Sequence, residues 1–591
     1  MENSRPQGYY QKNKEFIDNL PEWAREFANK YGSNTANLYI IHGNIRDYLP
    51  HQSNAGEFTF TRIQDYIAEQ IFGNQNIIVY YDRSSGVVFL TDEMAVEYQK
   101  IMSRLYPDVE DHSDFMSTNP EESFFYLEKY FLARIPKDKH EHCRMVFIID
   151  YAETIIPPGD LGRYSEEDRF CLVTLNRWAV NPLFTEGDIS IILLTENLAD
   201  ISPRLAGSPA AVKVSVPFPN EQVRKCFLDY KLKEGKLTLD RGLGTAQVAA
   251  ITNGLNLMNL NRLIQENHET AGVLNLDYLR QKKKEIIETE AVGLLGFMET
   301  SFDLSHVSGH NFVKKRFKNA AKAIKQGRLD VLPMGYLIAG PVGTGKSFMV
   351  SAFAGEIGIP MVRFNNFRSK WQGDTESNLE RILNILKSMA PVAVMIDEAD
   401  AFLGNREQEG DSGTSNRVFA QIASFMGNTE YRGKIIWFLI TCRPDLVPID
   451  LKRQGRVEEH LALFYPESDA EREDLFKTLV RKNGLDIRNF PVSELFKKYK
   501  HEYSGADLEA LLTRAKHLAA MEDRVFIRKE DMEEAMSDFI PAAYPHEIEL
   551  QNLVAVVECT SKEMLPDRLR KKPRSELIHE IQEIKTLIGE K

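Results

Sequence analysis

A chain of 591 residues is longer than one hydrophobic core organises, so two or more domains are expected. Acidic residues outnumber basic ones by 86 to 73, a formal charge of −13, which removes any global electrostatic case for nucleic acid or an anionic membrane as partner. Five cysteines without C-x-x-C spacing fit free thiols in a reducing compartment and point to neither a disulfide framework nor a zinc site.

The opening residues 1–14 are polar, with no apolar signal core, and no run approaches the ~18 apolar residues of a membrane span. A soluble, cytoplasmic protein is expected. Phe16, Trp23 and Phe27 read as a short helix lying on the first domain. Four apolar runs follow, at 37–44, 144–151, 189–197 and 214–219, each read as a buried strand. Residues 76–90, turning at Ser84-Ser85-Gly86, read as an inserted hairpin. A charged helix from Asp277 to Glu290 joins the halves, and its run Lys282-Lys283-Lys284 reads as a solvated face.

The chemistry begins at Gly340-Pro341-Val342-Gly343-Thr344-Gly345-Lys346-Ser347, a match to G-x-x-x-x-G-K-[ST] directly after the apolar run 336–339. The glycines let backbone N–H groups close around a β-phosphate, Lys346 reaches the β- and γ-oxygens, Ser347 supplies a hydroxyl to Mg²⁺, Phe348 is placed among the nucleotide contacts, and the following helix turns its positive end to the anion. The strand 391–396 ends in Asp397 and Glu398, one carboxylate for Mg²⁺ and one for the attacking water. Ser504 caps a helix, Asp507 completes the box, and Gly505-Ala506 lets backbone approach a nucleotide sugar. After Pro573, Ser575 precedes a stripe of Leu577, Ile578, Ile581, Ile584, Leu587 and Ile588, which needs a surface on this chain, a neighbour or a partner.

From Phe302 to about residue 540 the sequence resembles the AAA branch of the AAA+ ATPases, like the ATPase modules of Cdc48 and FtsH. The resemblance implies that residues 302–309, with Val307 and Gly309, border the adenine; His306 and Ser308 stand where the family has Asp and Gly. It implies that Trp371, in the stretch 370–377, is the aromatic residue of a pore loop. It also makes Arg453 and Arg456 the fingers that reach a neighbouring subunit's γ-phosphate. The polar sensor after the strand 435–441 is Cys442 in place of Asn, a weak donor and acceptor. Thr441 cannot replace it, because adjacent strand residues face opposite ways. Residues 425–428 lack the acidic turn that signals between subunits, so slow or regulated hydrolysis is expected.

The first half repeats the second at low similarity. Its four strands follow in the same order, but Ile45-Arg46-Asp47 replace the glycines and lysine, and Tyr151 follows Asp150 where Glu398 follows Asp397. Gly43 to Asp150 spans 107 residues against 57 from Gly340 to Asp397, so an insertion is expected. Ala206 and Pro209 stand at the spacing of the two arginines, and Asp150 reads as a leftover structural acid.

The expected architecture is α/β: two tandem AAA+ modules, each a parallel-sheet P-loop-type domain with a helical lid. Residues 1–290 form a degenerate module and 291–545 an active one (core 300–466, lid 467–545), with a helical extension at 546–591. Its implied work is ATP- and Mg²⁺-dependent remodelling of protein substrates by a homo-oligomeric, hexameric ring. A nucleotide-gated scaffold with little turnover is the alternative, and a nucleic-acid motor is disfavoured by the charge balance.

Overall fold

The computed structural model describes residues 20–33, 36–52, 58–72, 77–109, 112–135, 144–159, 162–269, 272–291, 293–298, 302–357, 359–365, 375–403, 414–488, 491–540 and 544–590. The chain separates into two units, residues 1–287 with 376–388, and residues 288–375 with 389–591.

The first unit is built on β1 (Leu38–Gly43), β2 (Ile77–Asp82), β3 (Gly86–Phe89), β4 (Met145–Ile149), β5 (Ile189–Thr195) and β6 (Ala211–Val216), in the order β3-β2-β4-β5-β1-β6. All neighbours are parallel except the β2–β3 hairpin. Every residue of β4 and β5 is buried, as a parallel sheet covered on both faces requires. Alternation along β1 sends Leu38 and Ile40 into one apolar layer and Tyr39 and Ile41 into the other. The helix Glu22–Gly32 covers the second layer with Trp23 and Phe27, as their spacing indicated; Phe16 lies outside the described residues.

Two expectations need correcting here. The hairpin is not wholly inserted: β2 is a core strand beside β4, and the added length includes β3, a separate two-stranded hairpin of Leu49–Gln52 with Phe58–Thr61, and two helices, Asp92–Leu105 and Pro120–Arg134, where the second half of the chain has one among the described residues. The lysine run is not wholly solvated either. Within the helix Leu276–Glu290, Lys283 is buried and its Nζ donates to Ile251 O at 2.9 Å, and burial lowers its pKa to about 8.

The second unit repeats the plan with β7 (Leu295–Phe297), β8 (Gly335–Ala339), β9 (Met361–Phe364), β10 (Val392–Ile396), β11 (Ile435–Thr441) and β12 (Glu459–Ala462), ordered β12-β8-β11-β10-β9-β7. The two sheets match strand for strand, β6-β1-β5-β4-β2-β3 against this order, each with one antiparallel edge. The edges come from opposite directions in the chain: β3 follows its partner, whereas β7 precedes the whole sheet.

Helices α1 (Asn311–Lys325) and α2 (Lys346–Ile357) cover one face, with Phe317, Phe353, Tyr336 and Phe438 in mutual ring contact. A helical lid with its own core carries α3 (Asp469–Lys482) and α4 (Gly505–Met521). Beyond it, α5 (Pro545–Glu558) and α6 (Arg574–Leu587) pair through Leu553, Val556 and Leu577, with Ile581 and Ile584 against them. The C-terminal stripe thus finds its surface on this chain, although Ile578 and Leu587 stay exposed.

Candidate functional site

The loop between β8 and α2 has the backbone that its glycines permit. Gly340 and Gly343 have φ of +139° and +81°, and a Cβ on them would meet Leu463 O at 2.0 Å and Ser504 Oγ at 2.7 Å. Lys346 opens α2 with a buried side chain, its Nζ donating to Gly340 O at 2.9 Å and Pro341 O at 2.8 Å. The same ammonium lies 3.2 Å from Cys442 Sγ.

Ser347, one residue on, donates its hydroxyl to Asp397 Oδ2 at 3.0 Å, although 50 residues separate them. That oxygen also takes Arg363 Nη2 at 2.6 Å, from the end of β9. Arg363 carried no motif, and only the adjacency of β9 and β10 brings it here. Glu398 sits in the left-handed region at φ 50°, donating its N–H to Asp397 Oδ1 at 3.1 Å, so that its side chain leaves the strand direction. A hydroxyl and a carboxylate side by side are hard oxygen ligands, and a site that leaves further positions to water and phosphate suits Mg²⁺.

At the end of β11 the two neighbours part as strand alternation requires. Thr441 Oγ1 donates to Asp400 Oδ1 at 2.6 Å, while Cys442 faces Lys346.

Beside the loop lies a cavity of about 760 Å³, large enough for a nucleotide. Val307, Gly309, Gly343, Thr344, Gly345 and Phe348 line it, with Gly505 and Ala506 from the start of α4. The cap is in place: Ser504 Oγ accepts from Asp507 N at 3.0 Å and Asp507 accepts from Ser504 N at 2.9 Å. Pattern reading missed several lining residues, among them Asp474, Thr478 and Lys482 of α3. His310 lies at the entrance to α1, its pKa lowered to about 4 by burial and by the Lys314 ammonium, so it is neutral near pH 7. Glu563, Met564, Leu565, Pro566 and Arg570 come from the C-terminal extension.

Arg453 and Arg456 do not line this cavity. Arg453 is 59% exposed and 3.3 Å from Asp450, while Arg456 donates to Asp450 O at 2.6 Å. Trp371 and its loop lie outside the described residues.

Three family models cover most of the chain. Residues 7–217 match the AAA+ chaperone N-terminal Rossmann-like domain, residues 222–292 the AAA+ chaperone second helical domain, and residues 336–465 the ATPase family associated with various cellular activities, AAA. The chain belongs to the AAA+ family. Its fold is two tandem AAA+ modules. An uncharacterized AAA domain-containing protein, ycf46, of Trieres chinensis is 27% identical over 56% of this chain and 67% of its own length. A cell division cycle protein 48 homolog of Archaeoglobus fulgidus is 25% identical over 71% of this chain and 62% of its own. A proteasome-activating nucleotidase of Methanococcus maripaludis is 29% identical over 35% of this chain and 51% of its own. The chain therefore spans between half and two thirds of the length of these relatives. Among the described residues, no helix is long and apolar enough to cross a membrane.

The first AAA+ module keeps the frame of the site and changes its contents. Tyr151 follows Asp150 at φ 50°, the backbone of Glu398 after Asp397, and again its N–H is bonded to the preceding carboxylate. Asp150 is a structural acid with internal partners. It accepts from Arg46 Nη1 at 2.7 Å and from Gln64 Nε2, and the Arg46 guanidinium lies 3.9 Å over the Tyr151 ring. Next in the loop, Asp47 is buried and accepts from Leu257 N at 2.9 Å and Met258 N at 2.8 Å, capping the helix Leu257–Glu269. An internal cation and a cap thus stand where the second module has its phosphate loop.

Proposed function

We propose that the second module binds and hydrolyses Mg²⁺-ATP and that the first hydrolyses none. The observation that carries this reading is the meeting of Lys346, Ser347, Asp397 and Glu398 beside a nucleotide-sized cavity. Backbone N–H groups of Gly343, Thr344 and Gly345 and the Lys346 ammonium take the phosphates, with Phe348 and the Gly505-Ala506 backbone against the nucleoside. Ser347 and Asp397 would hold Mg²⁺, which when bound screens the phosphate charge and aligns the γ-phosphoryl group. Glu398, turned off the strand, accepts a proton from the attacking water. Cys442 orients that water only weakly, being a thiol already beside Lys346. Arg453 and Arg456, which do not line their own cavity, serve a neighbouring subunit in a ring of like chains, the hexamer being the favoured count.

The work done with ATP is remodelling of protein substrates in the cytoplasm, threaded past Trp371. Support comes from the pore-loop resemblance and from relatives such as the proteasome-activating nucleotidase. The Cys442–Lys346 contact favours a second reading, a nucleotide-gated scaffold with little turnover. The test is ATP binding and hydrolysis by the purified chain. Lys346→Ala should abolish both, and Glu398→Gln should keep binding and lower turnover by at least 100-fold, within the range of general base catalysis. Turnover surviving in Lys346→Ala would place a second active site in residues 1–290.

A further inference from the structure

The nucleotide cavity has a wall that its motifs do not account for. Gly343, Thr344 and Gly345 mark the phosphate end. Met564 packs on the apolar cluster that contains Leu304, Val313 and Val307, the residue that the family resemblance puts at the adenine, and Leu565 and Pro566 continue the lining. This stretch of the C-terminal extension is held from several sides. Gln551 of α5 accepts from the phosphate loop itself, at Val342 N, at 3.0 Å. Just ahead of the stretch, Glu558 takes Lys452 at 2.8 Å and His460 at 3.1 Å, while Thr560 exchanges hydrogen bonds with the His460 backbone in both directions. Just after it, Leu569 is buried against Leu553, Val556 and Leu577, and Arg570 Nη2 donates to Leu565 O at 3.1 Å.

Resting on the nucleotide reading above, we infer that residues 563–566 form the adenosine-side wall of the site, so that the extension sets how tightly the base and ribose are held. Met564 is the contact residue. A polarisable thioether and the Leu565 side chain present the kind of surface that an aromatic base covers favourably. Because α5 also bonds the phosphate loop, the wall and the phosphate grip are fixed to one element, and a ligand that spans the cavity touches both. A ligand with phosphates and no nucleoside touches only one.

That difference supplies the test, on the full chain, with ADP and inorganic tripolyphosphate as probes. A Met564→Ser, Leu565→Ser double variant should bind ADP about tenfold more weakly and tripolyphosphate as the wild type does. Met564→Trp, which fills the adenosine end, should exclude ADP and spare tripolyphosphate. Unchanged ADP affinity in both variants, or equal weakening of both ligands, would overturn the inference and leave the segment a structural brace. A wild-type chain that binds neither probe would instead overturn the nucleotide reading itself.

Discussion

Cys442 shows how much one side chain settles at this site. Strand alternation sends Thr441 to Asp400 and leaves position 442 facing the Lys346 ammonium, so whatever stands there shares space with the phosphate-binding cation. A carboxamide offers two donors and an acceptor where the thiol offers little. Cys442→Asn should therefore raise kcat severalfold and change ATP affinity by less than about twofold, the pattern of an interaction made only in the transition state. Steady-state kinetics with nucleotide titrations checks it, and an unchanged kcat would show that another group orients the water. The glycines, Lys346, Ser347, Asp397 and Glu398 were legible in the sequence because each belongs to a local pattern. Arg363 on Asp397, and Cys442 beside Lys346, were not, because strand order brings them together and no spacing along the chain reports it.

At the scale of elements, buried apolar runs disclosed seven of the strands, because a parallel sheet buried on both faces writes itself as continuous hydrophobic segments. Edge and hairpin strands are less legible: β2 hid within an apparent insertion, and β7 has three residues. The helix face of Lys283 was misjudged because a charged residue can turn inward when a carbonyl receives it. The loop after β1 shows a replaced function that composition alone could not reveal. Arg46 neutralises Asp150, whose side chain is only 8% exposed. Arg46→Ala should cost about 1.5–3 kcal/mol, as for a charged hydrogen bond removed, and should not confer nucleotide binding on the first module. Adding Asp150→Asn should recover part of that loss by removing the unpaired charge. Denaturant midpoints of the single and double variants measure both, and strictly additive losses would mean that the pair is not coupled.

For the whole molecule, the question is whether one chain suffices. Arg453 and Arg456 do not line the cavity of their own module, and if they serve a neighbour's site, activity per chain should rise with protein concentration. Arg456→Ala and Lys346→Ala chains, each inactive alone, should recover a measurable fraction of ATPase activity when mixed, since some interfaces then join an intact loop to an intact finger. Size-exclusion chromatography with ATPase assays of verified mixed assemblies checks this, and no recovery would argue against a shared site.

The two sheets acquire their outer strands from opposite sides in sequence, and this bears on dissection of the protein. β7 pairs with β9 through Val362↔Phe297, and its ends are fastened by Met298 N to Met361 O at 2.9 Å and Asn365 N to Leu294 O at 2.8 Å. β7 and the residues that flank it lie ahead of residue 300. A fragment cut at 300, where the motifs begin, would keep every chemical group described for the second module and expose the bare N–H and C=O row of β9. Such a fragment would be prone to stick to its own copies by strand addition, mimicking the oligomerisation that an assembly assay seeks. A fragment begun at residue 288 would carry its own selvedge.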